Sequence, residues 1–268
     1  MTLSVSQIAW TPDKDAEAHS LLKRYGVTAL ELAPTRSFPR LDEVTEEQAT
    51  ALRSDLTAAG LPPRAMQALL FGRPELLLFS DEAARAALMT YLKAVVTMAS
   101  QLGVGPMVFG SPKNRARGAM GLDEANAIAV PFFRELGDFA APLGCIIGME
   151  PNPPQYACDY LTNTSDTAEF VAAVNSPGCR LHFDTGATVL NGEDPLSLLE
   201  KFAPQLCHYH VSQPFLEDFS SCAFPHAECG KRLRAAGYAG LVSIEMKQSP
   251  RGLEALEEAL RLTTECYG

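Results

Sequence analysis

The sequence predicts a single-domain (β/α)₈ barrel, the TIM-barrel fold, over residues 1–268. Three observations predict it. Eight short apolar runs alternate with helical stretches from one end of the chain to the other, as in a barrel of parallel strands and outer helices. No glycine-rich nucleotide fingerprint follows the first run, which weighs against an open dinucleotide-binding sheet. No linker, low-complexity segment or change of composition divides the chain, so we expect one domain.

Each predicted strand is a short run rich in apolar residues, and glycine or proline flanks several of them. In chain order they are Leu3–Ala9, Thr28–Ala33, Ala65–Phe71, Pro106–Gly110, Cys145–Glu150, Cys179–Asp184, Leu206–Val211 and Leu241–Met246.

Helical periodicity fills the segments between these strands. It is clearest over Asp81–Leu102, where apolar residues recur at spacings of three and four. Asp166 with Glu169 has the spacing of a capping box and predicts a helix over Thr167–Val174. The pair Ser249-Pro250 predicts the start of the last helix, because proline is favoured in a first helical turn.

Composition narrows the classes of function. Hydrophobic residues make up 47% of the chain, yet no apolar stretch is long enough to cross a bilayer, and the N-terminus does not resemble a secretory signal. Seven scattered cysteines without CxxC pairs are typical of reduced thiols, so we expect a cytoplasmic enzyme. A net charge of −10 argues against a general nucleic-acid binder but does not exclude an anionic small molecule, which a local basic loop can bind. A homo-oligomer is compatible with the sequence.

Four residues of metal-ligand type lie at or near the ends of predicted strands five to eight: Glu150, Asp184, His210 and Glu245. Their spacings of 34, 26 and 35 residues are about one strand–helix unit. Because the C-terminal ends of parallel strands meet at one mouth of a barrel, the four side chains should converge there. Three carboxylates and one imidazole suit a hard or borderline cation, Mn²⁺ or Mg²⁺ first, with Co²⁺ or Zn²⁺ as further candidates.

Strand alternation adds two histidines to the predicted site. His182 shares a face with Asp184, and His208 shares a face with His210, so both should point inward one layer below the four ligands. There they either orient the ligands or are interior histidines satisfied by hydrogen bonds.

The strand-end motifs resemble those of the xylose isomerase-like TIM barrels, a superfamily of sugar and sugar phosphate isomerases and epimerases that also holds inosose dehydratases and endonuclease IV-type enzymes. The motifs are Glu150-Pro151, His182-Phe183-Asp184-Thr185-Gly186, His208-Tyr209-His210-Val211-Ser212 and Ser243-Ile244-Glu245-Met246. The resemblance implies one Mn²⁺ or Mg²⁺ held by Glu150, Asp184, His210 and Glu245. In the ketose 3-epimerases of the superfamily the two glutamates are also the acid–base pair.

This chemistry predicts a metal-dependent isomerase or epimerase acting on a sugar or sugar phosphate. Glu150 and Glu245 would remove a proton from one face of a carbon next to a carbonyl and return one to the other, with a metal-stabilised enediolate between. A dehydratase or lyase of a sugar-like polyol is the nearest alternative. An endonuclease IV-like phosphodiesterase and a barrel that binds a ligand without converting it are the others.

Substrate contacts are predicted less directly. Lys113 and Arg115, in the loop after strand four, form either an anion clamp or a solvated loop. Lys247 shares the face of Glu245 and can reach the substrate, and His182 is a further candidate contact. Glu31, near the end of strand two, either binds a sugar hydroxyl or forms a structural ion pair.

Three positions depart from the epimerase pattern. Where those enzymes usually show a histidine, an arginine and a glutamate that handle the substrate, this chain has Ala187, Leu216 and Tyr156. We therefore expect the metal site to be shared and the substrate to differ.

Overall fold

Residues 1–268, all described by the computed structural model, form a closed barrel of eight parallel strands in chain order, with β8 hydrogen-bonded to β1. The strands are β1 Thr2–Ser6, β2 Ala29–Leu32, β3 Pro63–Met66, β4 Pro106–Phe109, β5 Ile146–Met149, β6 Cys179–Asp184, β7 Leu206–Ser212 and β8 Leu241–Glu245. The predicted barrel is confirmed.

Two strand boundaries were predicted wrongly. The first strand ends at Ser6, and Gln7–Ala9 form a 3₁₀ turn. The third strand ends at Met66, because Ala68 has a φ of 57° and turns the chain out of the sheet. The apolar residues Leu69 and Leu70 are buried in the loop that follows, so burial and strand structure do not coincide here.

Nine α-helices surround the barrel. They are α1 Asp15–Arg24, α2 Glu46–Ala58, α3 Glu82–Leu102, α4 Leu122–Ala140, α5 Thr164–Val174, α6 Thr185–Asn191, α7 Pro195–Phe202, α8 His226–Ala235 and α9 Leu253–Tyr267. Each strand is followed by one helix except β6, which is followed by α6 and α7. No helix combines the length and the apolar composition needed to cross a membrane.

Helix starts follow local hydrogen bonding. Asp81 caps α3 by accepting from the backbone N–H of Ala84 at 2.8 Å, in agreement with the predicted helix. The capping box at Asp166 and Glu169 was wrong, because Asn163 caps α5 three residues earlier. The start at Ser249-Pro250 was also wrong, since α9 begins at Leu253.

The strands bury apolar residues against the helices and polar residues inside the barrel. On the outside, the rings of Phe183 and Tyr209 stack with centroids 5.1 Å apart. Inside, the register pairs His182 with His208 and Asp184 with His210 across β6 and β7. This register brings the polar residues of the last strands together at the C-terminal mouth.

Candidate metal centre

A cavity of about 330 Å³ opens at the C-terminal mouth of the barrel, and we call it the mouth cavity. Its lining combines three carboxylates and one amide with an apolar remainder. The lining residues are Pro112, Glu150, Pro151, Asn152, Tyr156, Asp184, Ala187, Phe215, Leu216 and Glu245.

The four predicted ligands meet at the floor of this cavity. From Nδ1 of His210, the nearest carboxylate oxygens of Glu150 and Asp184 are each 3.8 Å away, and Oε2 of Glu245 is 3.1 Å away. Nδ1 of His210 is buried and has no hydrogen-bond partner of good geometry. One imidazole nitrogen thus faces three carboxylates contributed by three other strand ends.

Two neighbouring residues position the Glu150 carboxylate: an asparagine that donates a hydrogen bond to it and a glycine that leaves room for it. Asn152 donates from Nδ2 to Oε2 of Glu150 at 2.9 Å. A Cβ at Gly110, just after β4, would lie 2.2 Å from the same oxygen, closer than atoms can approach. Glycine at this position therefore leaves room for the carboxylate, and neither Asn152 nor Gly110 was identified from the sequence.

Asp184 stands at the junction of β6 and α6. Its Oδ1 accepts from the backbone N–H of Ala187 at 2.6 Å and caps α6, while Oδ2 accepts from the Ser212 hydroxyl at 2.7 Å. Burial raises the pKa of this carboxyl to about 7, and the nearby Glu150 and Glu245 add to the shift. Burial also raises the pKa of Glu245, to which Glu150 and Glu31 contribute while His210 opposes.

Beneath the floor, Glu31 orients His210. Both oxygens of the fully buried Glu31 carboxylate lie 3.0 Å from Nε2 of His210, and Oε1 lies 3.1 Å from Nε2 of His208. Ser243 donates to Oε2 at 2.6 Å. Since a carboxylate only accepts, both Nε2 atoms carry hydrogen, and Nδ1 is the atom of His210 that faces the cavity floor. Burial opposes the charged form of His210, but Glu31 and Glu245 outweigh it and raise its pKa well above the usual value, so a cation would take the place of the Nδ1 proton.

These contacts hold Glu31 charged. Burial opposes the charged form, but the imidazoles of His210 and His208 outweigh it, and the pKa of Glu31 falls well below its usual value. Of the two roles predicted for Glu31, the buried pairing is the one the structure shows.

His182 has no such partners. It is fully buried, its Nε2 lies 3.5 Å from Oε1 of Glu150, and neither ring nitrogen has a hydrogen-bond partner. The interior layer predicted for His182 is correct, but the hydrogen bonds expected of an interior histidine are absent. Burial, together with His210 and His208, lowers the pKa of His182 well below its usual value, so the ring is neutral.

The residues present fit a divalent cation. Glu150, His182, Asp184 and His210 each offer an atom within 4.8 Å of the others, and Glu245 adjoins the group through His210. Three crowded carboxylates, the raised pKa of Asp184 and the unpartnered nitrogens of His182 and His210 mark a place where positive charge would be stabilising.

None of the three basic residues predicted as substrate contacts lines the mouth cavity. Arg115 is fully buried and donates from Nη2 to the backbone carbonyl of Glu150 at 2.7 Å, so it supports the loop after β5 instead of clamping an anion. Lys113 is exposed and lines a neighbouring cavity. Lys247 is half exposed and pairs with Glu217.

The three positions that depart from the epimerase pattern, Tyr156, Ala187 and Leu216, all line the mouth cavity. The Tyr156 hydroxyl accepts from the backbone N–H of Phe215 at 2.8 Å, and their rings meet edge-to-face with centroids 5.5 Å apart. Apart from the three carboxylates and Asn152, the cavity lining is therefore largely apolar.

The chain matches one family profile and many solved structures. The profile of the xylose isomerase-like TIM barrel matches residues 20–266. A 3-keto-D-glucoside 4-epimerase from E. coli superposes with a TM-score of 0.79 at 16% identity, over 99% of this chain and 100% of that chain. D-psicose 3-epimerase from Clostridium cellulolyticum H10, solved with D-tagatose, gives 0.78 at 14% identity, over 100% of this chain and 96% of that chain.

A third solved structure, described as the IOLI protein with a binding zinc atom, gives a TM-score of 0.72 at 21% identity, over 99% of this chain and 96% of that chain. At such identities the likeness shows the fold alone. No curated protein matches the chain in sequence.

Proposed function

Because the chain belongs to the xylose isomerase-like TIM-barrel family, we propose that it is a metal-dependent sugar isomerase or epimerase. The proposed ligands are Glu150, Asp184, His210 and Glu245, and the proposed cation is Mn²⁺ or Mg²⁺, with Co²⁺ or Zn²⁺ as alternatives. Glu150 and Glu245 are the proposed acid–base pair.

One observation carries this proposal: carboxylates from β5 and β8 reach the same imidazole from different strand ends, at the floor of an open cavity. A sugar entering the cavity would present its carbonyl and adjacent hydroxyl to this floor. A divalent cation bound there supplies Lewis acidity, which stabilises negative charge on the substrate oxygens.

The protein residues transfer the protons and keep the carboxylates in position. One glutamate accepts the proton from the carbon between the two oxygens, and the other returns a proton. Burial raises the pKa of Glu245, which makes its carboxylate a stronger base for this proton transfer. Asn152 keeps the Glu150 carboxylate in place by donating to the oxygen that does not face His210.

The activities of structurally similar proteins support the reaction class. Two of them are sugar epimerases, and the zinc atom of the third supports a metal in this kind of barrel. For the substrate of this chain we propose a sugar or a sugar-like polyol, handled as a free small molecule.

The test is proton exchange. Purified protein with Mn²⁺ in D₂O is screened against ketoses and aldoses, and deuterium incorporation is followed by mass spectrometry and NMR. We expect deuterium in an isomeric sugar, and we expect Glu150→Gln and Glu245→Gln each to reduce exchange at least about 10³-fold while the protein stays folded. A product that has lost water would identify a dehydratase instead, and wild-type rates in either variant would exclude the acid–base pair.

A further inference from the structure

The mouth cavity contains no basic side chain. Its charged lining consists of Glu150, Asp184 and Glu245, with no lysine or arginine among the other lining residues. Of the basic residues nearest in sequence to this lining, Arg115 is buried against backbone carbonyls and Lys247 pairs with Glu217. The exposed Lys113 lines a separate cavity that shares only Pro112 with the mouth cavity. A phosphate ester would find no arginine or lysine in this lining, and the three carboxylates carry one more negative charge than a bound divalent cation neutralises.

Part of the apolar lining consists of two residues that the backbone holds in an unusual conformation. Phe215 and Leu216 have φ values of 58° and 56°, which residues other than glycine rarely adopt. Two hydrogen bonds anchor this pair: the Tyr156 hydroxyl accepts from the N–H of Phe215, and the N–H of Lys247 donates to the carbonyl of Leu216 at 2.8 Å. Phe215 is nevertheless 51% exposed, so its conformation is not explained by burial in the core.

The ring of Phe215 also lines a second cavity of about 590 Å³, which we call the side cavity. The side cavity is lined further by Val189, Phe224 and three carboxylates, and it contains no lysine or arginine. The mouth cavity, at about 330 Å³, is at the small end of the range for ligand pockets. A group larger than a monosaccharide would therefore extend along the apolar lining.

We propose that the substrate is a neutral sugar carrying an alkyl or aryl substituent, not a phosphorylated sugar. The polar part of the sugar lies over the carboxylate floor, and the substituent packs against Tyr156, Phe215 and Leu216. This inference rests on the proposed function, because it assumes that a sugar is converted at the floor. It replaces the anionic substrate that the sequence of the loop after β4 suggested.

Binding to Mn²⁺-loaded protein tests the inference separately from turnover. The probes are D-fructose, D-fructose 6-phosphate and 6-O-benzyl-D-fructose, titrated by calorimetry. We expect the benzyl ether to bind about tenfold more tightly than fructose, an apolar contribution of ordinary size, and the phosphate ester to bind more weakly than fructose. In Phe215→Ala the benzyl preference should fall several-fold, whereas Leu143→Ala, which removes a partly exposed leucine before β5, should not change it.

Leu216→Arg is a second test variant, which adds positive charge at the cavity instead of removing apolar surface. It places a cation at the mouth cavity, so we expect phosphate affinity to rise and the benzyl preference to fall. Tighter binding of the phosphate ester by the wild-type protein, or an unchanged benzyl preference in Phe215→Ala, would overturn the inference while leaving the proposed function in place. Absence of both binding and deuterium exchange with every sugar would remove the proposed function and the inference together.

Discussion

The Glu31 carboxylate and the His210 imidazole lie in contact below the floor of the mouth cavity, with both carboxylate oxygens 3.0 Å from Nε2. The contact fixes the ring orientation in which Nδ1 faces Glu150, Asp184 and Glu245. A residue of β2, which β1 and β8 separate from β7 around the closed barrel, thereby sets the binding atom of a residue on β7.

Glu31→Gln should weaken metal binding without unfolding the protein. The amide can still pack in place, but it loses the charge that holds Nε2–H of His210, and changes of this kind typically cost about 10–100-fold in metal affinity. Titration with Mn²⁺ followed by electron paramagnetic resonance measures the loss. Ser243→Ala, which removes one hydrogen bond to Glu31, should give a smaller loss, and equal affinity in all three proteins would contradict the orienting role.

Gly110→Ala should displace the Glu150 carboxylate. The new Cβ would lie 2.2 Å from Oε2, and because this atom is the end of a flexible side chain, the carboxylate would move while the fold remains. We expect lower metal affinity and lower exchange activity, with a melting temperature within a few degrees of wild type. Gly121→Ala is the matched control, since a Cβ there meets nothing within 4 Å. Equal losses in both variants would show that the effect is not local to Glu150.

Addition of Mn²⁺ should stabilise the protein, because a cation relieves the repulsion among buried carboxylates. At a free concentration of about 100 times Kd, the free energy of unfolding should rise by about 2.7 kcal/mol, or roughly 5–10 °C in melting temperature. Differential scanning calorimetry with and without EDTA measures the shift. Asp184→Asn should lose most of it and the exposed Asp55→Asn none; a shift that persists in the Asp184 variant would place the cation elsewhere.

Because His226 is buried in its neutral form, we expect the protein to lose stability in mild acid. It is 2% exposed, its Nδ1 lies 2.8 Å from the Tyr267 hydroxyl, and burial lowers its pKa from 6.5 to about 4. The unfolded chain takes up a proton at about 6.5 and the folded chain does not. The stabilising contribution is therefore complete above pH 6.5 and falls by about 1.4 kcal/mol per pH unit between 6.5 and 4.

Urea unfolding between pH 7 and 5 checks this dependence. His226→Gln should be less stable at pH 7 but should lose about 2 kcal/mol less than wild type on going to pH 5. The half-buried His19 offers a control, and His19→Gln should change the pH dependence less. Parallel curves for wild type and His226→Gln would contradict the assignment.

Much of the site could be predicted from the sequence, because residues at the C-terminal ends of the parallel strands of a barrel all lie at the same mouth. The residues at the ends of β5 to β8 needed only this rule and the period-two alternation that placed His182 and His208 one layer lower. The role of Glu31 could not be predicted, since a carboxylate near the end of β2 has the same sequence pattern whether it faces substrate or a buried histidine.

The rest depended on loops, where sequence spacing carries little geometric information. Three cations within five residues suggested an anion clamp, but the pattern does not say which of them is buried, and Arg115 turns inward to carbonyl groups. Asn152 has a signal that could have been used, because it follows Glu150 by two residues. The conformation of Phe215 has none, since nothing in a Pro-Phe-Leu sequence indicates two successive residues with positive φ.

Anomalous diffraction from crystals soaked in Mn²⁺ tests the proposed metal site most directly. We expect one strong peak at the floor of the mouth cavity, about 2 Å from oxygens of Glu150, Asp184 and Glu245 and from Nδ1 of His210. A peak coordinated instead by Glu31, His208 and Nε2 of His210, or no peak inside the barrel, would contradict it.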